Sequence, residues 1–296
     1  NKNHIITTKT EHKAVLDSCE FVRSSGLDID YLPVDKSGYV SMIDLQGAIR
    51  SDTMLVIILH GNNEIGTVQP IMDIGQICLE NNIPMLVDAA QTFGKLPINV
   101  KDSGIAMLAG SSHKIYGPKG SGFLYKRGDI HIDPLIHGGG HEMGLRSGTH
   151  NVAGIVGLAV AYRLMLTDQE KEKKKLDNHV QDFINELQKS KLKYYINGPK
   201  EERLPGNLNI CLKGIDADWL TSMIPNIAVA RGSACTSETI QPSHVLRAIG
   251  LSDEDANSSI RISFGRFTTK EEIKKASNIL IEKSKMYLTK KESLAI

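Results

Sequence analysis

The sequence holds 296 residues, 41% of them hydrophobic and 23% charged, with a net charge of +1, a balance that fits a folded globular protein and excludes a disordered chain. The near-zero charge offers no bulk attraction to nucleic acid or to a membrane surface, and no apolar run approaches the roughly 20 residues that cross a bilayer. No secretion signal opens the sequence, and the four cysteines (Cys19, Cys78, Cys211, Cys235) stand far apart with no CxxC pair, so neither a disulfide framework nor a zinc signature is indicated. A reducing, cytoplasmic setting is expected, with no direct nucleic-acid and no membrane partner.

Residues 4–8 read as a short strand and 11–23 as a helix closed by Ser24-Ser25-Gly26. Residues 31–34 are extended, and 42–49 form a short helix. Residues 54–59 are a continuous apolar run of strand length, the pattern of a strand buried on both faces. A helix over 70–80 carries Pro70 near its first turn. Strands over 83–87, 105–109 and 122–125 continue the alternation, which predicts a mostly parallel α/β sheet flanked by helices. Such sheets bind ligands beyond the carboxyl ends of their strands. Composition shifts after Thr167, where the charge run 168–175 opens an amphipathic helix with Leu176, Val180, Phe183, Ile184 and Leu187 on one face. Strands over 207–212, 227–231 and 259–264 follow, with helices over 216–223, 243–249 and 270–287. The last helix opens on a capping box, Thr269 with Glu272. The expected division is a large domain over 1–167 and a smaller C-terminal α/β domain over 168–296.

Three apolar runs deliver polar residues at their carboxyl ends: His60-Gly61-Asn62-Asn63-Glu64, Asp88-Ala89-Ala90-Gln91 and Ser111-Ser112-His113-Lys114. In a parallel sheet all three sets share one edge. A desolvated lysine is nucleophilic and forms Schiff bases with carbonyls or pyridoxal phosphate. That cofactor also needs a carboxylate at its pyridine nitrogen, which Asp88 supplies, and a partner for its ring oxygen, which Gln91 supplies. Its phosphate needs donors such as Ser111 and His113. Each residue alone has a plainer reading: Lys114 as a solvated loop lysine, Asp88 as a strand-end turn residue or a helix cap, His113 as a core histidine, Asn63 as a turn former. The coincidence at strand ends argues against all of these together. His113, His131, His137 and His141 also cluster in sequence, but their spacing matches no standard metal motif.

The motifs Thr10-Glu11-His12-Lys13-Ala14-Val15, Asn62-Asn63-Glu64-Ile65-Gly66, Val87-Asp88-Ala89-Ala90-Gln91, Ser112-His113-Lys114-Ile115-Tyr116-Gly117-Pro118-Lys119-Gly120, Gly138-Gly139-Gly140-His141-Glu142, Arg146-Ser147-Gly148-Thr149, Gly232-Ser233-Ala234-Cys235-Thr236-Ser237 and Ser258-Ser259-Ile260-Arg261 resemble those of the cysteine desulfurases. These are fold-type I pyridoxal 5'-phosphate enzymes of the class V aminotransferase group. The resemblance runs nearly end to end and in family order.

That resemblance implies a role for each residue. Lys114 carries the cofactor as a Schiff base and moves the substrate α-proton. Asp88 pairs with the pyridine nitrogen, Gln91 with the ring hydroxyl, and His12 stacks on the ring and helps in proton transfer. Asn63 contacts cofactor or substrate, Ser111 and His113 bind the phosphate, and Thr149 reaches the phosphate of the other subunit of a homodimer. Arg261 clamps the carboxylate of L-cysteine, a task suited to a bidentate guanidinium. Cys235 takes the sulfur as a persulfide, leaving L-alanine, and passes it to an acceptor protein for iron–sulfur cluster assembly, tRNA thiolation or DNA sulfur modification. Arg231 or His244 is expected to help hold the Cys235 thiolate, whereas Cys19, Cys78 and Cys211 read as buried structural residues.

Three departures from the family accompany this. Its N-terminal segment, which cradles the cofactor phosphate and contributes to the small domain, is not in this sequence. Arg231 stands where a small residue is common. The C-terminal tail that docks an iron–sulfur scaffold is lacking, which points to a more specialised acceptor. Competing readings are a selenocysteine lyase or another class V enzyme, which Cys235 in its motif argues against, a non-catalytic interaction partner, and a histidine-based metal protein.

Overall fold

The computed structural model describes residues 2–230 and 242–294, which form two sheets. The larger contains β1 (His4–Thr8), β2 (Asp28–Leu32), β3 (Thr53–Leu59), β4 (Met85–Asp88), β5 (Met107–Ser111) and β6 (Gly122–Lys126), in the order β2-β1-β3-β4-β5-β6. Neighbours pair in parallel except β5 with β6, which is antiparallel. The connecting helices are α1 (Lys13–Ser24), α2 (Met42–Ala48) and α3 (Ile71–Glu80).

Local chemistry sets where these helices begin. His12 caps α1, its Nδ1 accepting from Ala14 N at 3.2 Å, and Ser41 caps α2 by accepting from Asp44 N at 3.2 Å. The apolar runs then bury both faces of the sheet. Ile6, Val56, Ile58, Met85 and Val87 pack with Leu45, Ile74 and Ile77, while Ile5, Ile29 and Ile57 pack with Cys19. Alternate residues of one strand therefore serve opposite faces, as expected for a sheet covered on both sides. The burial expected along all of 54–59 holds only from Val56 onward. Met54 is 36% exposed and Leu55 half-buried.

The charge run 168–175 does not open a helix. It lies inside α4 (Val152–Lys189), a 38-residue helix that starts earlier because Asn151 Oδ1 accepts from Gly154 N at 3.0 Å. The second half of α4 buries Val180, Phe183 and Leu187, with Ile184 partly buried, against the smaller sheet, and Leu176 is buried one turn earlier. That sheet is antiparallel, β7 (Tyr194–Ile196), β8 (Asn207–Leu212) and β9 (Ser259–Ser263) in that order. It is accompanied by α5 (Ala217–Met223), α6 (His244–Ala248), α7 (Asp253–Asn257) and α8 (Lys270–Leu294). The capping box before α8 forms in both directions, Glu272 N to Thr269 Oγ1 at 3.2 Å and Thr269 N to Glu272 Oε2 at 2.8 Å. The strand expected over 227–231 is reduced, among the described residues, to one bridge between Ala230 and Arg261, because Ile227 and Val229 pack into the core beneath instead of extending a ladder. The short β7 and α7 carry no sequence signal strong enough to have been expected.

Candidate active site

Four parallel strands, β1, β3, β4 and β5, end side by side, and short hydrogen bonds tie their ends together. Asn62 Nδ2 donates to the Thr10 carbonyl (2.9 Å), Leu59 N to Glu11 Oε1 (2.9 Å), His60 N to the Asp88 carbonyl (3.0 Å) and Ala89 N to the Ala109 carbonyl (2.9 Å). The polar residues expected at one edge are therefore at one edge. His12 follows β1, Asn63 follows β3, and Asp88 is the last residue of β4 with Gln91 in the turn beyond it. Ser111 is the last residue of β5, with His113 and Lys114 in the next turn.

Each turn has its own cause. Asn62 Oδ1 accepts from Glu64 N (2.9 Å) and Ile65 N (3.0 Å), an Asx-type turn that places Asn63 at its apex. Asp88 Oδ1 accepts from Ala90 N at 2.9 Å, which makes it a strand-end turn residue; no helix follows for it to cap, and the carboxylate is held at the strand end by this bond. Lys114 lies in a single 3₁₀ turn, Ser112–Ile115, closed by Tyr116 in the left-handed region at φ 65°. Gly117 N donates back to the Ser112 carbonyl at 3.0 Å. A Cβ on Gly117 would stand 2.2 Å from Ser112 Oγ and 3.1 Å from the Ser112 carbonyl oxygen, so a side chain there would displace the hydroxyl and crowd the turn that carries Lys114.

The chain's second part reaches this edge through Arg261 on β9, whose Nη1 donates to the Asn63 carbonyl at 3.2 Å. Arg261 Nε is buried and has no hydrogen-bond partner among the described residues. Ser111 Oγ and His113 Nδ1 are hydrogen-bonded at 2.9 Å. His113 titrates below the usual imidazole range, through desolvation and the positive charges of Lys114 and Lys119. Thr149 is exposed in the segment before α4. Cys235 and Arg231 lie outside the described residues. His244 Nε2 bonds the Glu11 carbonyl at 3.0 Å, so that ring nitrogen carries its proton and donates it to the backbone. Cys19, Cys78 and Cys211 are buried free thiols, as expected. Among the described residues no group of three or more histidine, cysteine or acidic side chains could hold a metal ion. A cavity of about 850 Å³ lined by Phe93, Leu96, Ile98, Phe123 and Tyr162 contains none of the expected residues.

Two acids at this edge were not singled out from sequence. Glu11 is buried, with Oε1 accepting from Leu59 N and from Thr8 Oγ1 (2.9 Å each) and Oε2 without a partner among the described residues. Burial pushes its pKa up to about 8 against those hydrogen bonds, with the charge of Asp88 adding to the rise. Glu64 is also buried, and burial pushes its carboxyl up to about 7 despite its bond with Ser243 and the positive charge of Arg261. The signal available was position, since each adjoins an expected site residue, His12 or Asn63.

The donor set fits pyridoxal 5'-phosphate. A carboxylate stands at the end of β4, a hydroxyl and an imidazole already bonded to each other stand at the end of β5, and an amine lies in the same turn. The buried, unpartnered Arg261 Nε completes a cationic fork suited to a carboxylate.

Residues 1–276 match the model of the class-V aminotransferases. The chain is 44% identical to the mitochondrial cysteine desulfurase of Arabidopsis thaliana, over all of this chain and 67% of that protein. Among solved structures, a NifS-like protein superposes with a TM-score of 0.88 at 35% identity, covering 95% of this chain and 75% of that one. SspA in complex with cysteine superposes with a TM-score of 0.76 at 41% identity, covering 90% of this chain and 75% of that one.

Proposed function

Because the chain belongs to the class-V aminotransferase family and is a pyridoxal-phosphate-dependent cysteine desulfurase, we propose that the four-strand edge holds its cofactor and that Cys235 receives its sulfur. The observation that carries this reading is the convergence of Asp88, Asn63, Ser111, His113 and Lys114 on adjacent ends of β3, β4 and β5, with Arg261 arriving from the second sheet.

The cofactor, when bound, supplies an electron sink that makes the substrate α-proton acidic and its sulfur open to attack. Asp88 would meet the pyridine nitrogen and Gln91 the ring hydroxyl. His12 would stack on the ring. Ser111 and His113 would bind the phosphate, and Thr149 that of a second copy of the chain. Arg261 binds the cysteine carboxylate through the guanidinium edge not engaged by Asn63. Lys114 Nζ takes the α-proton and later returns a proton to carbon. The Cys235 thiolate forms an S–S bond with the substrate sulfur as the substrate C–S bond breaks, and the electron pair and a proton end on carbon. The balance is cysteine plus a thiol giving alanine plus a persulfide, with no outside oxidant.

The division is read as a large domain over 1–167 and a small domain over 168–296, with α4 shared as a spine. A homodimer is supported by the solvent-facing apolar stripe of Val152, Val156, Val160 and Leu164 on α4, at helical i,i+4 spacing. The sulfur acceptor is a protein of iron–sulfur assembly, tRNA thiolation or DNA sulfur modification. The setting is the cytoplasm, in keeping with three buried reduced thiols and with no described helix long and apolar enough to cross a membrane. Borohydride treatment of the protein with its cofactor tests the site. Peptide mapping is expected to find the cofactor fixed on Lys114, and fixation on another lysine would refute the assignment.

A further inference from the structure

Three consecutive residues beyond β3 are held, each of them, by the chain's second part. The Asn63 carbonyl accepts from Asn207 Nδ2 and from Arg261 Nη1, each at 3.2 Å. The Glu64 carbonyl accepts from Asn209 Nδ2 at 3.2 Å, and its carboxyl Oε2 accepts from Ser243 Oγ at 2.5 Å. The Ile65 carbonyl accepts from Arg203 Nη2 at 2.9 Å, and its side chain is fully buried with Val245, Leu246 and Ile249. Ser243 Oγ in turn accepts from Val245 N (3.1 Å) and Leu246 N (3.3 Å), so it caps α6 while donating to Glu64.

Among the described residues, Glu64 is the one member of this triplet whose side chain supplies a polar bond across the junction. It is 4% exposed, and an unmade bond there is costly. Its neighbour Asn63 orients Arg261: with Nη1 on the Asn63 carbonyl, the guanidinium edge left for a ligand is Nε with Nη2. That edge is the one that grips a carboxylate with two parallel bonds, and its Nε is buried without a partner among the described residues. A small rotation of the Asn63 peptide turns the fork away.

We propose that Glu64 is a positioning residue for substrate binding: by holding Ser243 at the start of α6 it fixes the Asn63 carbonyl and, through that carbonyl, the direction of the Arg261 fork. This rests on the reading of Arg261 as the carboxylate clamp. Position matters here, so a neutral side chain that still accepts from Ser243 will serve.

The test is alanine release measured against L-cysteine concentration, with the cofactor absorbance recorded, for Glu64→Ala, Glu64→Gln, Ser243→Ala, Arg261→Ala and the double variant Glu64→Ala/Arg261→Ala. Glu64→Ala is expected to raise KM about tenfold, the size of one lost buried hydrogen bond, with kcat within about threefold and the absorbance unchanged. Glu64→Gln returns KM to within about threefold of the wild type, Ser243→Ala raises it in the same direction, and the double variant is no worse than Arg261→Ala alone, since Glu64 acts through Arg261. A wild-type KM in Glu64→Ala, or additive losses in the double variant, would overturn the proposal. If Glu64→Ala fails to fold, a wild-type KM in Ser243→Ala overturns it instead. A wild-type KM in Arg261→Ala is a different failure, one that removes the clamp reading and the proposal resting on it.

Discussion

Replacing Glu11 by glutamine isolates the most perturbed acid of the site edge. Glu11 is 1% exposed, and its pKa rises from 4.5 to about 8 on folding, chiefly through burial. The sign follows from linkage. An acid whose folded pKa is raised contributes stability that is fully present below its unfolded pKa and is lost as pH climbs to the folded value. Between pH 5 and 7.5 the unfolded chain ionises Glu11 while the folded chain keeps it protonated, so folding loses about 1.4 kcal/mol per pH unit, or about 3 kcal/mol across the interval. Full burial leaves no solvent screening to discount this. Glutamine keeps an oxygen to accept from Leu59 N and Thr8 Oγ1 but has no proton to lose. Glu64 titrates in both proteins and cancels in the difference. Urea unfolding midpoints with saturating cofactor, taken across this pH range, should show Glu11→Gln gaining on the wild type by about 3 kcal/mol from pH 5 to 7.5. Parallel pH profiles would refute the assignment of a protonated acid at this position.

Three further outcomes follow from the same structure. Lys114→Ala removes the group that moves the α-proton and is expected to slow alanine release about 10²–10⁴-fold, with chemical denaturation unchanged. Gly75→Ala sets a Cβ 1.9 Å from the Ser103 carbonyl oxygen, a backbone atom, so α3 must shift and a thermal or urea melt should show about 1–3 kcal/mol lost. Phe183→Ala empties the centre of the smaller core and should cost about 3–5 kcal/mol in the same melt.

The parallel sheet was legible because buried strands write themselves as apolar runs: Val56 to Leu59 and the residues around Val87 could hardly be read otherwise. That polar residues would gather at one edge of the sheet was legible for the same reason, since each run stops abruptly at them. The long helix was not. The first half of α4 exposes Val152, Val156 and Val160, so its apolar stripe has no partner among the described residues to betray its direction, and the charge run at 168–175 imitates a helix start. Within that run Glu172 is buried and ion-paired with Arg266, which no local pattern reveals. Glu11 and Glu64 escaped attention because a carboxylate in sequence reads as surface. Only the folded chain shows both closed off behind strand ends, where burial rather than residue type decides how they titrate.

Incubating the enzyme with L-cysteine and no acceptor, blocking thiols and mapping peptides by mass spectrometry tests directly whether the sulfur lands on Cys235. One added sulfur atom on the Cys235 peptide is expected, with alanine released in equal amount, and neither in Cys235→Ala under the same single-turnover conditions. Sulfur on Cys19, Cys78 or Cys211, or alanine released in full by Cys235→Ala, would contradict this assignment.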